Sequence, residues 1–320
     1  MALNLIHETE NKNFPGDKIS NLAVSLLKNV SFMFILAILL GLALGGIPFF
    51  TEYIATAALI IVMTFTTMNI ELKKAFKIKK YLKNYLVILV LNYLFLTGII
   101  LFFSYLLIPD KDLRAGFVIM AAIPPAVAVI PFTAILKGDL ELSVGSSAFL
   151  YVLSLILAPI IVVMFMGENI DILKLIQELF LMIVLPLIVS RALLYYNVDN
   201  KLQDGKDILI NLGFFVLIFT VVGVNRSAFL LEPSIMIAVS FICLFRTFVA
   251  GVIVYHIGGL FHVDPKNRIN YLLFGSFKNL GLTIIIAFTL FGEKAAIPAA
   301  ICMPFEILTL PYYKRLLLNR

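Results

Sequence analysis

Three ionisable side chains lie inside otherwise apolar stretches of this chain: Arg246, Lys278 and Glu306. A charge isolated at the centre of a bilayer costs about 3 kcal/mol or more, so each needs a partner or a wet cavity. Lys278 can stand as a permanent cation that neutralises nearby carbonyls and half-helix ends, or it can carry a proton in a coupling cycle. Glu306, in FEILTLP, is its expected partner, because the segments that hold the two residues are consecutive and antiparallel. A structural ion pair with no protonation cycle is the plainer alternative. Arg246 can bind a carboxylate or another oxyanion through two parallel hydrogen bonds. It can equally snorkel or pair with backbone carbonyls.

The backbone that must position these groups is interrupted. Met120–Val144 reads MAAIPPAVAVIPFTAILKGDLELSV, and Pro124, Pro125 and Pro131 each lack an N–H and crowd the carbonyl one turn back. Leu113–Ile123 is therefore expected to be a half-helix, roughly 16 Å long at 1.5 Å per residue, against a hydrocarbon core of about 30 Å. The helix is expected to resume around Phe132–Lys137. A second interruption is expected at Gly275–Gly281, GSFKNLG. Broken backbone is tolerated in a membrane only where it is buried in protein or lines a cavity, and paired breaks mark the substrate site of many secondary transporters. An ordinary proline kink is the alternative reading.

The whole chain has the composition of a membrane protein. It has 320 residues, 62% of them hydrophobic, and a mean hydropathy of +1.04; soluble globular chains do not reach such values. The net charge of +6 needs no nucleic acid, because Lys and Arg accumulate on cytoplasmic loops. Cys243 and Cys302 both fall in apolar spans, so the sequence offers no disulfide framework and no metal cluster. His7, His256 and His262 are expected in solvent. Residues 1–28 form a cytoplasmic tail, with Ile19–Lys28 a short surface helix, and no cleavable signal peptide is expected.

Ten membrane segments are expected, near 30–47, 51–70, 84–108, 113–136, 142–166, 173–195, 208–224, 234–258, 268–291 and 295–313. Placing both termini inside puts eighteen of the 25 Lys and Arg residues on the cytoplasmic side, five outside, and Arg246 and Lys278 within spans. The run Lys73–Lys83 carries much of this bias. Ten spans divide into five and five, and an odd-numbered repeat inserts upside-down the second time. The fold class expected is thus an all-α membrane protein of two inverted five-helix repeats, with broken segments 4 and 9 crossing. One transmembrane transporter domain would fill residues 1–320.

Specific residues then carry a resemblance. A proline at the break (Pro124), Leu136-Lys137-Gly138-Asp139, and Leu142-Ser143-Val144 together form LxKGDxxLSV. Weaker echoes are LVLNYLFLTGIILFFSYLL in segment 3, VLPL at Val184–Leu187, and NLGL at Asn279–Leu282 with PAA at Pro298–Ala300. The pattern resembles the bile acid/sodium symporter superfamily, which also contains arsenite efflux permeases; plant-type auxin efflux carriers share the architecture. The resemblance covers segments 2–10. It implies a core of segments 3–5 and 8–10, a panel of segments 1, 2, 6 and 7, and a substrate bound between them.

The departures bear on coupling. Sodium-coupled members read CPGGTASNV at the crossover, and the Ser-Asn pair supplies sodium ligands; Val129 and Ile130 stand there in this chain. In the ninth segment the family places a Glu four residues before a Gln, followed by Asn; the matching positions are Phe274, Lys278 and Asn279. A segment-3 Gln corresponds to Asn92, and two hydroxyl positions in segment 5 are kept as Ser143 and Ser147. The resemblance thus implies the fold and transport while the residues argue against sodium coupling. The substrate and ion site is expected at Lys278, Asn279, Pro124, Pro125, Ser143, Ser147, Asn92, Glu306 and Arg246, with no metal or cofactor.

The function expected is secondary active transport of a small organic solute, an organic anion, by alternating access, in the cell (inner) membrane. Sodium would not be required, Lys278 would replace the coupling cation, and protons are a candidate coupling ion. The alternatives are a sodium-coupled bile-acid-type symporter, and a receptor or channel on a transporter fold. No HExxH, GxSxG, paired catalytic carboxylates or phosphate loop points to an enzyme.

Overall fold

The computed structural model describes residues 24–45, 51–68, 78–167, 171–198 and 205–318. The tail up to residue 23, with the first half of the expected surface helix, and the lysine run from Lys73 to Lys77 lie outside them; residues 24–28 of that helix are helical. Among the described residues every regular element is a helix. They are α1 (Val30–Leu44), α2 (Thr51–Thr67), α3 (Ile78–Val90, Leu91–Leu96 and Thr97–Leu107 in one run), α4 (Lys111–Ala122), α5 (Val129–Ile135) and α6 (Leu140–Met166). There follow α7 (Ile172–Leu179, Phe180–Val184, Leu185–Tyr195), α8 (Lys206–Val224), the short α9 (Arg226–Leu231) and α10 (Pro233–Leu244, Phe245–Val249, Ala250–Leu260). The chain closes with α11 (Pro265–Phe274), α12 (Leu280–Phe291) and α13 (Glu293–Leu318). Six helices among the described residues are long and apolar enough to cross a membrane; Val30–Leu44, Tyr53–Thr67 and Leu280–Phe291 are shorter apolar helices.

Helix starts follow side-chain chemistry. Asn29, Asp110, Asp139, Asp171, Asp264 and Asn279 each accept a hydrogen bond from an N–H two or three residues on, which satisfies donors the helix itself leaves open. The main helix pairs are as follows. α8 lies against α1 and α2, and α7 against α2; α13 packs on α4, α10 and α12, and α6 on α3, α4 and α5. Close approach requires small residues in places: a Cβ on Gly116 of α4 would collide with the Ala295 carbonyl of α13.

The same devices occur twice along the chain. α3, α7 and α10 each contain a stretch of wider π-helical turns, at Leu91–Leu96, Phe180–Val184 and Phe245–Val249, and in α3 and α10 the second residue of the stretch is polar and fully buried, Asn92 and Arg246. α4 and α11 each begin on a capping Asp, Asp110 and Asp264. Four residues further on, Arg114 and Arg268 lie over Tyr105 and Tyr255 at 5.0 and 4.0 Å from the ring centres. Each of these helices is short and ends in a break.

Two expectations change. The helix after the first break resumes at Val129, not Phe132, and ends at Ile135. Pro131 fits inside it because its missing N–H falls in the first turn, where no partner exists. Cys243 and Cys302 are joined in a disulfide, with Cα atoms 5.1 Å apart. The residues are far apart in sequence, and only the packing of α10 on α13 brings them together.

Asp110 supplies a test of the α4 start. Its carboxylate accepts from the N–H groups of Asp112 and Leu113 and pairs with Lys294 of α13 at 2.6 Å. Partial burial works against the charged form, but the Leu113 N–H and Lys294 outweigh it and hold the carboxyl below its usual range. A lowered folded-state value means the contribution is complete above the ordinary Asp range and disappears as pH falls through the folded value. Asp110→Ala is expected to lower stability by about 1 kcal/mol at pH 7, and thermal unfolding should show the gap to wild type closing on acidification.

Candidate functional site

The two breaks meet. The backbone N–H of Asn279, in the break between α11 and α12, donates to the Pro124 carbonyl in the break between α4 and α5 at 2.9 Å. Pro124 and Pro125 keep the first break open because neither can donate to a helix ladder. Asn279 then starts α12: its Oδ1 accepts from the Leu282 N–H, and its Nδ2 donates to the Tyr151 hydroxyl of α6 at 2.8 Å.

Lys278 is fully buried, and its ammonium is held by oxygen atoms. Nζ donates to the carbonyls of Ala121 and Ile123 at 2.8 and 3.0 Å, to Asn92 Oδ1 at 3.0 Å and to Thr97 Oγ1 at 3.4 Å. It also lies 4.5 Å from the centre of the Tyr93 ring. Ala121 and Ile123 are at the C-terminal end of α4, where unpaired carbonyls and the helix dipole favour a positive charge. Asn92 also reaches the second break: its Nδ2 donates to the carbonyls of Phe274, the last residue of α11, and of Phe277, at 2.8 and 3.3 Å. The π-helical turns around Asn92 place it between the two breaks.

The expected Lys278–Glu306 ion pair is not formed. Glu306 Oε1 lies 2.6 Å from Arg246 Nη2, and it meets Lys278 only through that residue's backbone N–H, at 3.5 Å. The break turns the lysine side chain away from α13 and into the carbonyl cage. Arg246, fully buried, holds this carboxylate and the Ser276 carbonyl, the latter at 3.3 Å. Its open alternatives resolve to an internal partner, not to solvent. The disulfide sits one turn away, Cys243 preceding Arg246 and Cys302 preceding Glu306 on the same two helices.

Ser143 and Ser147 are not brought to the cage. Ser143 accepts from Thr133 at 3.0 Å, and Ser147 Oγ is buried without a hydrogen-bond partner in the structure. The KGD turn is architectural. Lys137 ends α5 in the left-handed region, at φ 63°. A Cβ on Gly138 would press on Asn270 and Thr133, and Asp139 caps α6. Asn270 of α11 clamps this turn, accepting from the Asp139 N–H and donating to its carbonyl at 2.9 and 2.7 Å. Sequence reasoning missed Tyr93, Thr97, Tyr151 and Asn270; Tyr93 and Thr97 lie within the LVLNYLFLTG stretch, one and five residues after Asn92.

A cavity of about 430 Å³ reaches this region, lined by residues of α1, α2, α5, α8, α12 and α13. Phe34, Leu59, Met63 and Phe214 line one wall, and Ile130, Asn279, Met303 and Glu306 the other. The charged side chains on its lining are Lys28, Asp207 and Glu306. The resemblance places sodium ligands at positions that lie in and around these breaks. Val129, Ile130 and Phe274 offer sodium no side-chain oxygen, and the oxygens that are present already hold an ammonium.

A search of curated proteins finds no match to the chain. The family model of the SBF-like CPA transporter family matches residues 25–309, in line with the resemblance to bile acid/sodium symporters. The matched region contains both breaks, the lysine cage and the cavity wall, so the chain belongs to the SBF-like CPA transporter family, a family of transporters and not of enzymes.

Proposed function

We propose that this protein is a sodium-independent secondary transporter of a small organic anion, in which the Lys278 ammonium takes the place of a coupling cation. The observation that carries this reading is the cage: four oxygens within 3.4 Å of Nζ, the donor chemistry of a cation site, filled by a side chain. A tethered cation cannot leave, so it stabilises the crossed breaks at every stage of the cycle. The choice of an anion rests on charge. Three cations, Lys28, Lys278 and Arg246, stand against two carboxylates, Asp207 and Glu306, on or beside the cavity, and the N-terminus of α12 opens beside it at Leu280 and Gly281.

The repeated devices in α3–α4 and α10–α11 support two inverted five-helix repeats. On that plan α3–α6 and α10–α13 form the core, and α1, α2, α7 and α8 the panel. The substrate would sit in the cavity between them and cross by motion of core against panel, in the cell membrane with both termini cytoplasmic. Pro124, Pro125, Asn92 and Asn279 hold the breaks; Ser143 and Ser147 support α6 behind them.

Transport is tested with the purified protein in proteoliposomes. Saturable uptake of a labelled monocarboxylate, with counterflow against unlabelled compound, is the expected result. Pro124→Ala with Pro125→Ala should abolish it in protein that still inserts. Uptake that never saturates would indicate a channel, and binding without flux a receptor.

A further inference from the structure

Glu306 is a charged group that the cation-substitute reading leaves without a task. It is the cavity's direct link to the second break: part of its side chain is accessible, and Oε1 is held by Arg246 at 2.6 Å and by the Lys278 N–H at 3.5 Å. The charged groups around it can be enumerated by element. α10 contributes Arg246, and the break contributes Lys278, whose ammonium is turned into the cage. At the cavity lining Lys28 precedes α1 and Asp207 lies in the first turn of α8; α2, α5 and α12 bring no charged side chain to that lining.

We propose that Glu306 binds the coupling proton, and that a monocarboxylate and this proton occupy the cavity together, making transport an anion–proton symport. The proposal rests on the anion reading above and adds its coupling ion. While Glu306 is ionised, its carboxylate satisfies Arg246 and repels an incoming anion. Once it takes a proton from the solution to which the cavity opens, Arg246 is left uncompensated and attracts the substrate carboxylate. Anion binding and protonation therefore favour each other, and by linkage the effect is reciprocal. A cationic substrate would be repelled by the unpaired Arg246 in that state. Lys278 is a poor proton carrier on this geometry. A neutral amine has two N–H groups for the four oxygens around Nζ, so its lone pair would be left facing an oxygen.

Two measurements on protein in nanodiscs test this. The first is an infrared pH titration without ligand. A carboxylic acid C=O band should appear on acidification in wild type, be missing in Glu306→Gln and be shifted in Glu306→Asp. The second is calorimetric binding of monocarboxylates from butyrate to 4-phenylbutyrate. Wild-type affinity should fall about tenfold per pH unit above the titration of Glu306, with one proton taken up per anion bound. Glu306→Gln should bind with the same affinity at every pH and take up no proton, and Glu306→Asp should keep the slope. Absence of the Glu306 band in wild type, or a pH slope that survives in Glu306→Gln, overturns the proposal while leaving anion transport standing. Failure of every monocarboxylate to bind either protein at any pH overturns the anion reading and this proposal with it.

Discussion

Lys278→Met should abolish transport and lower thermal stability. Methionine has nearly the length of lysine, so the space is kept and the donors are lost. The Ile123 carbonyl and the Oδ1 of Asn92 are then left without Nζ, while the Ala121 carbonyl keeps its hydrogen bond from Thr97 Oγ1. Each buried acceptor orphaned in this way costs roughly 1–3 kcal/mol. Relief of the ammonium's own desolvation offsets part of the sum, and a net loss of about 3 kcal/mol is expected. Because about 1.4 kcal/mol is a factor of ten, the population with both breaks correctly held falls roughly 100-fold. Uptake and melting temperature, measured on the same preparation, check this; unchanged uptake would show that the cage has no part in the cycle. Lys278→Gln keeps some donors and should be milder on stability. It should not create sodium dependence, because Phe274 still stands where the sodium-coupled relatives have Glu.

Arg246→Gln should be the most destabilising single change at the site. It leaves Glu306 largely buried beside the break with its 2.6 Å partner gone. Breaking one side of a buried pair typically costs about 3–5 kcal/mol, mainly from the uncompensated charge. Adding Glu306→Gln removes that charge, so the double variant should recover most of the loss. A full cycle of the two singles and the double should give a coupling energy of about 2 kcal/mol or more. The matching cycle between Lys278→Gln and Glu306→Gln should be close to additive, since their side chains do not meet. A large coupling in the second cycle and none in the first would reverse the assignment of partners.

The breaks were legible in the sequence because proline and glycine act on the backbone directly: Pro124-Pro125 and Gly275 announce interruptions whatever surrounds them. Lys278 and Arg246 were legible as functional candidates because a charge in an apolar span must be explained. Their partners were not legible. Adjacency of two antiparallel segments favours Lys278 with Glu306, but the direction of a side chain leaving a non-helical break depends on dihedral angles that residue spacing does not determine. The π-helical turns that rotate Asn92 and Arg246 into place leave no periodic signature in such uniformly apolar helices. The Cys243–Cys302 bridge was hidden for the same reason, since it depends on the register of α10 against α13. KGDLE was recognised as a motif, yet its work is to shape the α5–α6 turn and take the Asn270 clamp.

The central claim is that a lysine occupies the place of a coupling cation, and sodium binding itself tests it without knowledge of the substrate. Equilibrium binding of radioactive sodium to the purified protein in nanodiscs, with choline as the balancing ion, should show no saturable component in wild type. Saturable binding of one sodium ion per protein, unchanged by Lys278→Met, would contradict the account.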